Sequence, residues 1–296
     1  MELRHFRYFT ALAEELHFGR AAERLHIEQS PLSRAIKELE SDLGVQLFER
    51  NRHRTRLTWA GQVFLKDIQR IDIALEQAKT NVRAAASGFR GILRIALSDG
   101  VAPQRMGALL ALCRKEEPEV DIRLFEVSLA QQLKGLRQDL YDAGFSRSNS
   151  TGEGIIANAL WDDPLMIVIP ARHPLLFRKL IPLTEALTYP LILYRPEAYE
   201  GFHGQLDRLL QSTAIQPNVA TRVTTFNSML AFVSGGYGLG FSSEPLITAF
   251  NYPEVVPRAL ADESARMTTY FLRPAEQASP ELERFMARAY DITSNA

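Results

Sequence analysis

Apolar positions recur at helical spacing from the start of the chain. Leu3, Phe6, Phe9, Leu12, Ala13 and Leu16 share one face, which predicts a first helix with one buried side. Gly19 reads as a break, and "RAAERL" as a short second helix burying Ala21, Ala22 and Leu25. "HIEQ" leaves room only for a turn. Ser30 is then placed to cap a third helix, with Pro31 at its first position, where a missing N–H costs nothing. At about 100° per residue, Ser30, Ser33, Arg34, Lys37 and Ser41 fall in one stripe, with Leu32, Ile36, Leu39 and Leu43 opposite. Two short helices joined by a tight turn, the second presenting a polar stripe, predict a helix-turn-helix.

The stripe has chemistry suited to DNA. Arg34 can donate two parallel hydrogen bonds to guanine O6 and N7, and Gln29 can pair with adenine N6 and N7. Ser30 and Ser33 lie where free backbone N–H groups help bind phosphate or base edges, with Pro31 and Lys37 in the same candidate set. A merely solvated face is the competing reading, and Glu38, Glu40 and Asp42 favour it. The next segment, "LFERNRHRTRLT", shifts the balance. Arg50, Arg52, Arg54 and Arg56 face only Glu49 there, and Leu47, Phe48 and Leu57 bracket them, so the segment reads as a basic hairpin or wing. Positive charge at a hairpin tip suits phosphate contact or minor-groove insertion.

Thr58 can cap a long helix from Trp59 to about Ser87. Phe64, Ile68, Ile71, Leu75, Ala78, Val82 and Ala85 step along it by alternating fours and threes, an unbroken heptad seam. At 1.5 Å per residue the rod spans roughly 45 Å. Such a seam suits pairing with a second chain better than packing on a small domain's own core, and pairing would set two recognition helices on an interrupted inverted repeat. "SGFRG", with residues 88–91 as the link, reads as a hinge.

From Ile92 the period changes. "ILRIALS", "VDIRLFEV" and "YDAGF" read as strands alternating with helices that carry Met106, Leu109, Leu110 and Leu112, then "LAQQLKGLRQ". That alternation predicts parallel βαβ units. "IIANALWDDPLMIVIPA" reads as two strands leading into a second α/β lobe. This lobe holds the helix "GQLDRLLQST", a strand near Val219–Val223, the helix "FNSMLAFVSGG" and the strand "GLGFS". Strands at Val255–Leu260 and Met267–Leu272 and the helix "PELERFMARAYDI" end the chain. Gly235 and Gly236 read as a helix stop, since "GGYGLGF" follows a helix and precedes a strand, the reverse of a nucleotide-binding loop.

Ligands of open α/β sheets sit beyond the C-terminal strand ends. Ser98, Asp99 and Gly100 end the first strand, Ser128 and Leu129 follow the second, and Arg147 follows the third, where its guanidinium could clamp a carboxylate. Phe202, Thr225 and Phe226 are the candidates from the other lobe. Helix caps for the serines and an internal salt bridge for Arg147 are the competing readings, and Asp99 is an awkward neighbour for an anion. With the aromatic neighbours, the set points to a small organic acid.

Length and composition are those of an ordinary globular protein of more than one domain. The 296 residues suffice for two or three domains, and a net charge of −1 leaves any nucleic-acid signal to local clusters. Cys113, the only cysteine, sits in an apolar helical pattern and reads as a buried structural thiol. The N-terminus is charged and amphipathic and no run reaches membrane-spanning length, which leads us to expect a cytoplasmic protein with no membrane partner.

The run "AAERLHI.QS.LSR.I..LE..LG..LFER", and "LT.AG" at the end of the wing, resemble the DNA-binding domain of LysR-type transcriptional regulators. The resemblance covers about sixty residues almost continuously. It implies an α/β chain with a winged helix-turn-helix over 1–58 and a dimerising linker helix over 59–87. The effector domain over 92–296 is then two-lobed and like a periplasmic binding protein, with one lobe about 92–161 and 267–296 and the other about 162–266. It further implies double-stranded DNA, a small-molecule effector, RNA polymerase and other copies of the chain, in a homotetramer, as partners. The inducer cleft falls at the strand-end positions named above, and no cofactor is expected. An enzyme or a transport-type solute-binding protein are the rivals. No metal-ligand spacing, nucleophile elbow or paired catalytic motif speaks for the first, and the winged segment speaks against the second. The family usually has an apolar residue and proline after the strand "GLGFS"; "FSSEP" here puts two serines there, able to alter the cleft or cap the next helix.

Overall fold

The computed structural model describes residues 1–51, 54–213 and 215–294; the side chains at 50, 51, 54, 293 and 294 also lie outside the described residues. The chain divides into two compact units, Met1–Thr80 and Asn81–Ala296.

In the first unit, α1 (Leu3–Glu15), α2 (Phe18–Leu25) and α3 (Gln29–Leu43) precede the hairpin β1 (Phe48–Asn51) and β2 (Arg54–Leu57), whose register pairs Phe48 with Leu57. The long helix α4 (Trp59–Ala86) follows. Leu16 and His26 adopt left-handed backbone conformations that end α1 and α2. The His17 ring accepts the Arg20 N–H at 3.3 Å, so α2 starts at Phe18 and Gly19 lies inside it rather than breaking the chain. Phe9 packs against Phe48 and Phe64, at 5.3 and 4.9 Å between ring centres, fixing α1 to the wing and to α4. Thr58 caps α4: its hydroxyl accepts the Gly61 N–H at 2.9 Å and donates to the Gln46 carbonyl at 2.8 Å. A Cβ at Gly61 would stand 2.1 Å from the Leu47 carbonyl oxygen, which explains the glycine in "LTWAG".

In the second unit, β3 (Gly91–Leu97), α5 (Pro103–Glu116), β4 (Val120–Glu126), α6 (Leu129–Arg137) and β5 (Ala143–Ser146) form parallel βαβ units. Gly91 is already part of β3, paired with Val120, so the link from α4 is Ser87–Arg90. The next strand, β6 (Ile155–Pro170), is one continuous strand where the sequence suggested two. After it come β7 (Leu180–Ile181), α7 (Leu183–Ala186), β8 (Leu191–Tyr194), α8 (Glu200–Gln211), β9 (Val219–Val223), α9 (Phe226–Ser234), β10 (Leu239–Ser243) and α10 (Glu244–Thr248). The chain ends with β11 (Val255–Leu260), β12 (Arg266–Pro274) and α11 (Pro280–Ser294).

The strand order is β4-β3-β5-β12-β6-β10-β8-β9, with β11 pairing both β6 and β7. β6 pairs β12 antiparallel as far as Pro164 opposite Arg266, then pairs β10 from Leu165 opposite Ser243. Pro164 stands at that change of partner, where a missing ladder N–H is tolerated. The change divides the sheet into two lobes. One has a core around Ile95, Phe145, Trp161 and Phe271, and the other around Ile167, Ile192, Met229 and Phe241.

Candidate recognition helix and interlobe cleft

Helix α3 sorts its residues as the helical period requires. Leu32, Ile36 and Leu39 are fully buried in the first unit's core, while Gln29, Ser30, Pro31, Arg34 and Lys37 are exposed and Ser33 is half-buried. The N-cap is Glu28, with no side-chain cap bond, so Ser30 and Pro31 lie inside the first turn instead of at the cap and first position. The serine hydroxyl is thus left on the outward face, and Pro31 still sits where no intrahelical N–H is needed.

The acids that suggested a solvated face have structural partners. Glu40 accepts the Leu47 and Phe48 N–H groups at 2.9 and 3.1 Å, tying α3 to the wing. Glu38 lies 3.5 Å from the buried His5 ring. Of the wing arginines, Arg56 is exposed at its base. Arg52 and the side chains of Arg50 and Arg54 lie outside the described residues.

The second candidate is a cavity of about 670 Å³ between the lobes, of the size that takes a small organic molecule. Ser98, Asp99 and Gly100 line it from the end of β3, Ser128 from the start of α6, and Thr225 and Phe226 from the start of α9. Tyr199, Phe250, Glu126 and Gln131 complete much of the wall. Ser128 and Thr225 are caps as well as wall: their hydroxyls accept the Gln131 and Ser228 N–H groups at 3.3 and 3.1 Å.

Leu129, Phe202 and Arg147 do not line the cavity. Leu129 and Phe202 pack in hydrophobic cores. Arg147 corrects the expectation of an exposed clamp, because its side chain is fully buried, 1% accessible, with its guanidinium over the Phe202 ring. It donates to the Ser243 hydroxyl at 2.9 Å and the Met267 carbonyl at 3.3 Å. Burial pulls its pKa below the ordinary arginine value, with Asp163 and Asp99 acting in the opposite sense. One serine of "FSSEP" therefore anchors this arginine; Ser243 makes no capping bond to α10.

Asp99 is the centre of a buried network joining the lobes. Its backbone is left-handed, a conformation aspartate tolerates better than most residues. One carboxylate oxygen accepts the Gly201 N–H of α8 at 2.8 Å. The other accepts the Ser146 hydroxyl at 2.8 Å, the Ser98 hydroxyl at 3.1 Å and the Arg147 N–H at 3.3 Å. A Cβ on Gly201 would lie 2.6 Å from this carboxylate, so glycine is what lets α8 come so close. Gln205, one turn further along, bonds the Arg147 carbonyl and both backbone groups of Thr268. Arg105 pairs with the buried Asp163 at 2.6 Å beside the strand crossing. Gln132, Ser146, Gln205, Arg105 and Asp163 were not singled out from the sequence; the adjacent acids of "WDDP", set in an apolar strand, were the one signal available.

The two units match two family descriptions. Residues 3–62 match "Bacterial regulatory helix-turn-helix protein, lysR family", and residues 86–291 match "LysR substrate binding domain". The chain is 30% identical over 251 residues to the transcriptional regulator AlsR of Bacillus subtilis, covering 85% of this chain and 83% of that one. It is 31% identical over 289 residues to the Hca operon transcriptional activator HcaR of Escherichia coli, covering 97% of both. The crystal structure of full-length CbnR complexed with its target DNA is similar at TM-score 0.77 and 27% identity, over 99% of this chain and 100% of that one. These relatives are named as regulators, not enzymes. Among the described residues, no helix is long and apolar enough to cross a membrane. A helix-turn-helix with its wing, followed by a two-lobed α/β domain, both in register with these matches, establishes that the chain belongs to the LysR family of DNA-binding transcription regulators.

Proposed function

We propose that this regulator binds an interrupted inverted repeat as a dimer paired through α4, with α3 in the major groove, and responds to a small molecule held in the interlobe cleft. The observation that carries the DNA half is the split of α3 between a fully buried apolar face and an exposed set of Gln29, Ser30, Arg34 and Lys37. A relative named as an operon transcriptional activator supports RNA polymerase as a downstream partner. Contacts between effector domains that complete a homotetramer belong to the same proposal.

The heptad seam supports the dimer in its second half. Ile68 is fully buried and Phe64 packs in the chain's own core, whereas Ile71 is 41% and Val82 69% exposed. Apolar side chains left open at heptad positions are what a partner helix covers. Ile71→Glu is expected to leave the monomer folded, separate the dimer and abolish tight operator binding, because a charge would have to be buried against the partner. Ultracentrifugation and fluorescence anisotropy on one preparation test this. An unchanged oligomer that binds the operator normally would contradict the reading.

The effector half rests on the cavity. The organic-acid expectation leaned on Arg147 as a clamp, and that side chain is engaged beneath the wall.

A further inference from the structure

The cleft has an electrostatic character that narrows its ligand. Its wall holds two carboxylates, Asp99 and Glu126, and among the described residues lining it there is no lysine, arginine or histidine. Helix N-termini also face the cavity and would favour an anion if their N–H groups were open. Several are already engaged. Gly201 N–H goes to Asp99, Gln131 N–H to Ser128 and Ser228 N–H to Thr225. The Ser146 hydroxyl donates to Asp99, and the Ser98 hydroxyl lies between Asp99 and the Gln132 carbonyl oxygen. These donors are thus occupied by groups of the protein itself, the Asp99 carboxylate chief among them.

Glu126 is the opposite case. It ends β4 at the cavity wall, is exposed, and makes no ion pair among the described residues. Three aromatic rings stand in the same wall: Tyr199, Phe226 and Phe250, the last two 4.9 Å apart between centres. Tyr199 also stacks on Tyr194 at 4.3 Å, which fixes its ring. A carboxylate beside aromatic faces attracts a cation both by charge and by the ring quadrupole.

We propose that the effector is a cation, a small molecule bearing a protonated amino group on a planar or apolar body, with the ammonium beside Glu126 and the body against Tyr199, Phe226 and Phe250. The assignment rests on the cleft being the effector site. It replaces the organic acid expected from the strand-end pattern.

Three probes sharing a 4-hydroxyphenyl ring test it by calorimetry on the full chain at neutral pH: tyramine, 4-hydroxyphenylethanol and 4-hydroxyphenylacetate. Tyramine is expected to bind about ten-fold tighter than the alcohol, with the carboxylate weakest, since charge and cation–π attraction act together. Glu126→Gln should bring tyramine to the level of the alcohol, and Ala198→Trp, which fills the cleft, should remove binding of both. A carboxylate that binds best and is lost in Ala198→Trp overturns the cation assignment while the cleft reading stands. Tyramine binding undiminished in Ala198→Trp overturns the cleft reading itself. A tyramine preference that survives Glu126→Gln, or no binding of any probe up to about 10 mM, also overturns the assignment.

Discussion

Helix α3 and the interlobe cleft both bring serines and an arginine together, and they use them in opposite ways. On α3 the polar side chains point away from the protein, with Arg34 exposed at the centre of the outward face. At the cleft and beneath its wall the polar side chains turn on one another: Ser98 and Ser146 on Asp99, Arg147 on Ser243. The first arrangement leaves hydrogen-bonding capacity for another molecule. The second spends it joining two halves of one domain. A polar residue at a candidate site is a ligand contact only if the fold has not already supplied its partner.

If that contrast holds, the two arginines fail differently. Arg147→Ala leaves the Ser243 hydroxyl and the Met267 carbonyl without their buried donor and opens a cavity where the side chain stood, while Asp163 keeps its pairing with Arg105. It should destabilise the effector domain by about 3–5 kcal/mol. Chemical denaturation followed by the fluorescence of Trp161, buried in that domain, measures it. A loss under about 1 kcal/mol would mean that the network is as weak as a surface ion pair. The smallest expected effect concerns the wing. Arg56→Ala should leave the fold intact, weaken binding to all DNA sequences alike, and flatten the salt dependence by about 0.9 in the log–log slope, as for one lost phosphate contact. Titrations on operator and random DNA at several salt concentrations check it. A loss confined to the operator would make Arg56 a base reader.

The same contrast explains what could be read from the sequence. The faces of α3 follow from a fixed rotation per residue, so Leu32, Ile36 and Leu39 identify the buried side without knowledge of any other element. Similar local regularity marked β9, β10 and β11. The cleft is different because its partners are remote: Asp99 meets Gly201 across 102 positions, and Arg147 meets Ser243 across 96. Strand-end logic placed Ser98, Asp99, Ser128 and Thr225 at the cavity. It could not tell that Arg147 would turn inward, since that depends on Ser243 of β10 and Met267 of β12, both remote in sequence. The run "IIANALWDDPLMIVIPA", read as two strands, differs in another way. A proline inside an apolar run signals the end of a strand, and here it marks the point where β6 passes from β12 to β10 while the strand itself continues. The tetrad "LILY", residues 191–194 of β8, gave no alternation to read because it is buried on both faces.

The central claim is that α3 offers its polar face to base edges, and Arg34→Ala tests it most directly. Anisotropy titrations of wild type and variant on the operator and on random DNA, at one salt concentration, should show a loss of about 1–3 kcal/mol on the operator with random-sequence binding nearly unchanged. An equal loss on both DNAs would make Arg34 a phosphate contact and contradict the account.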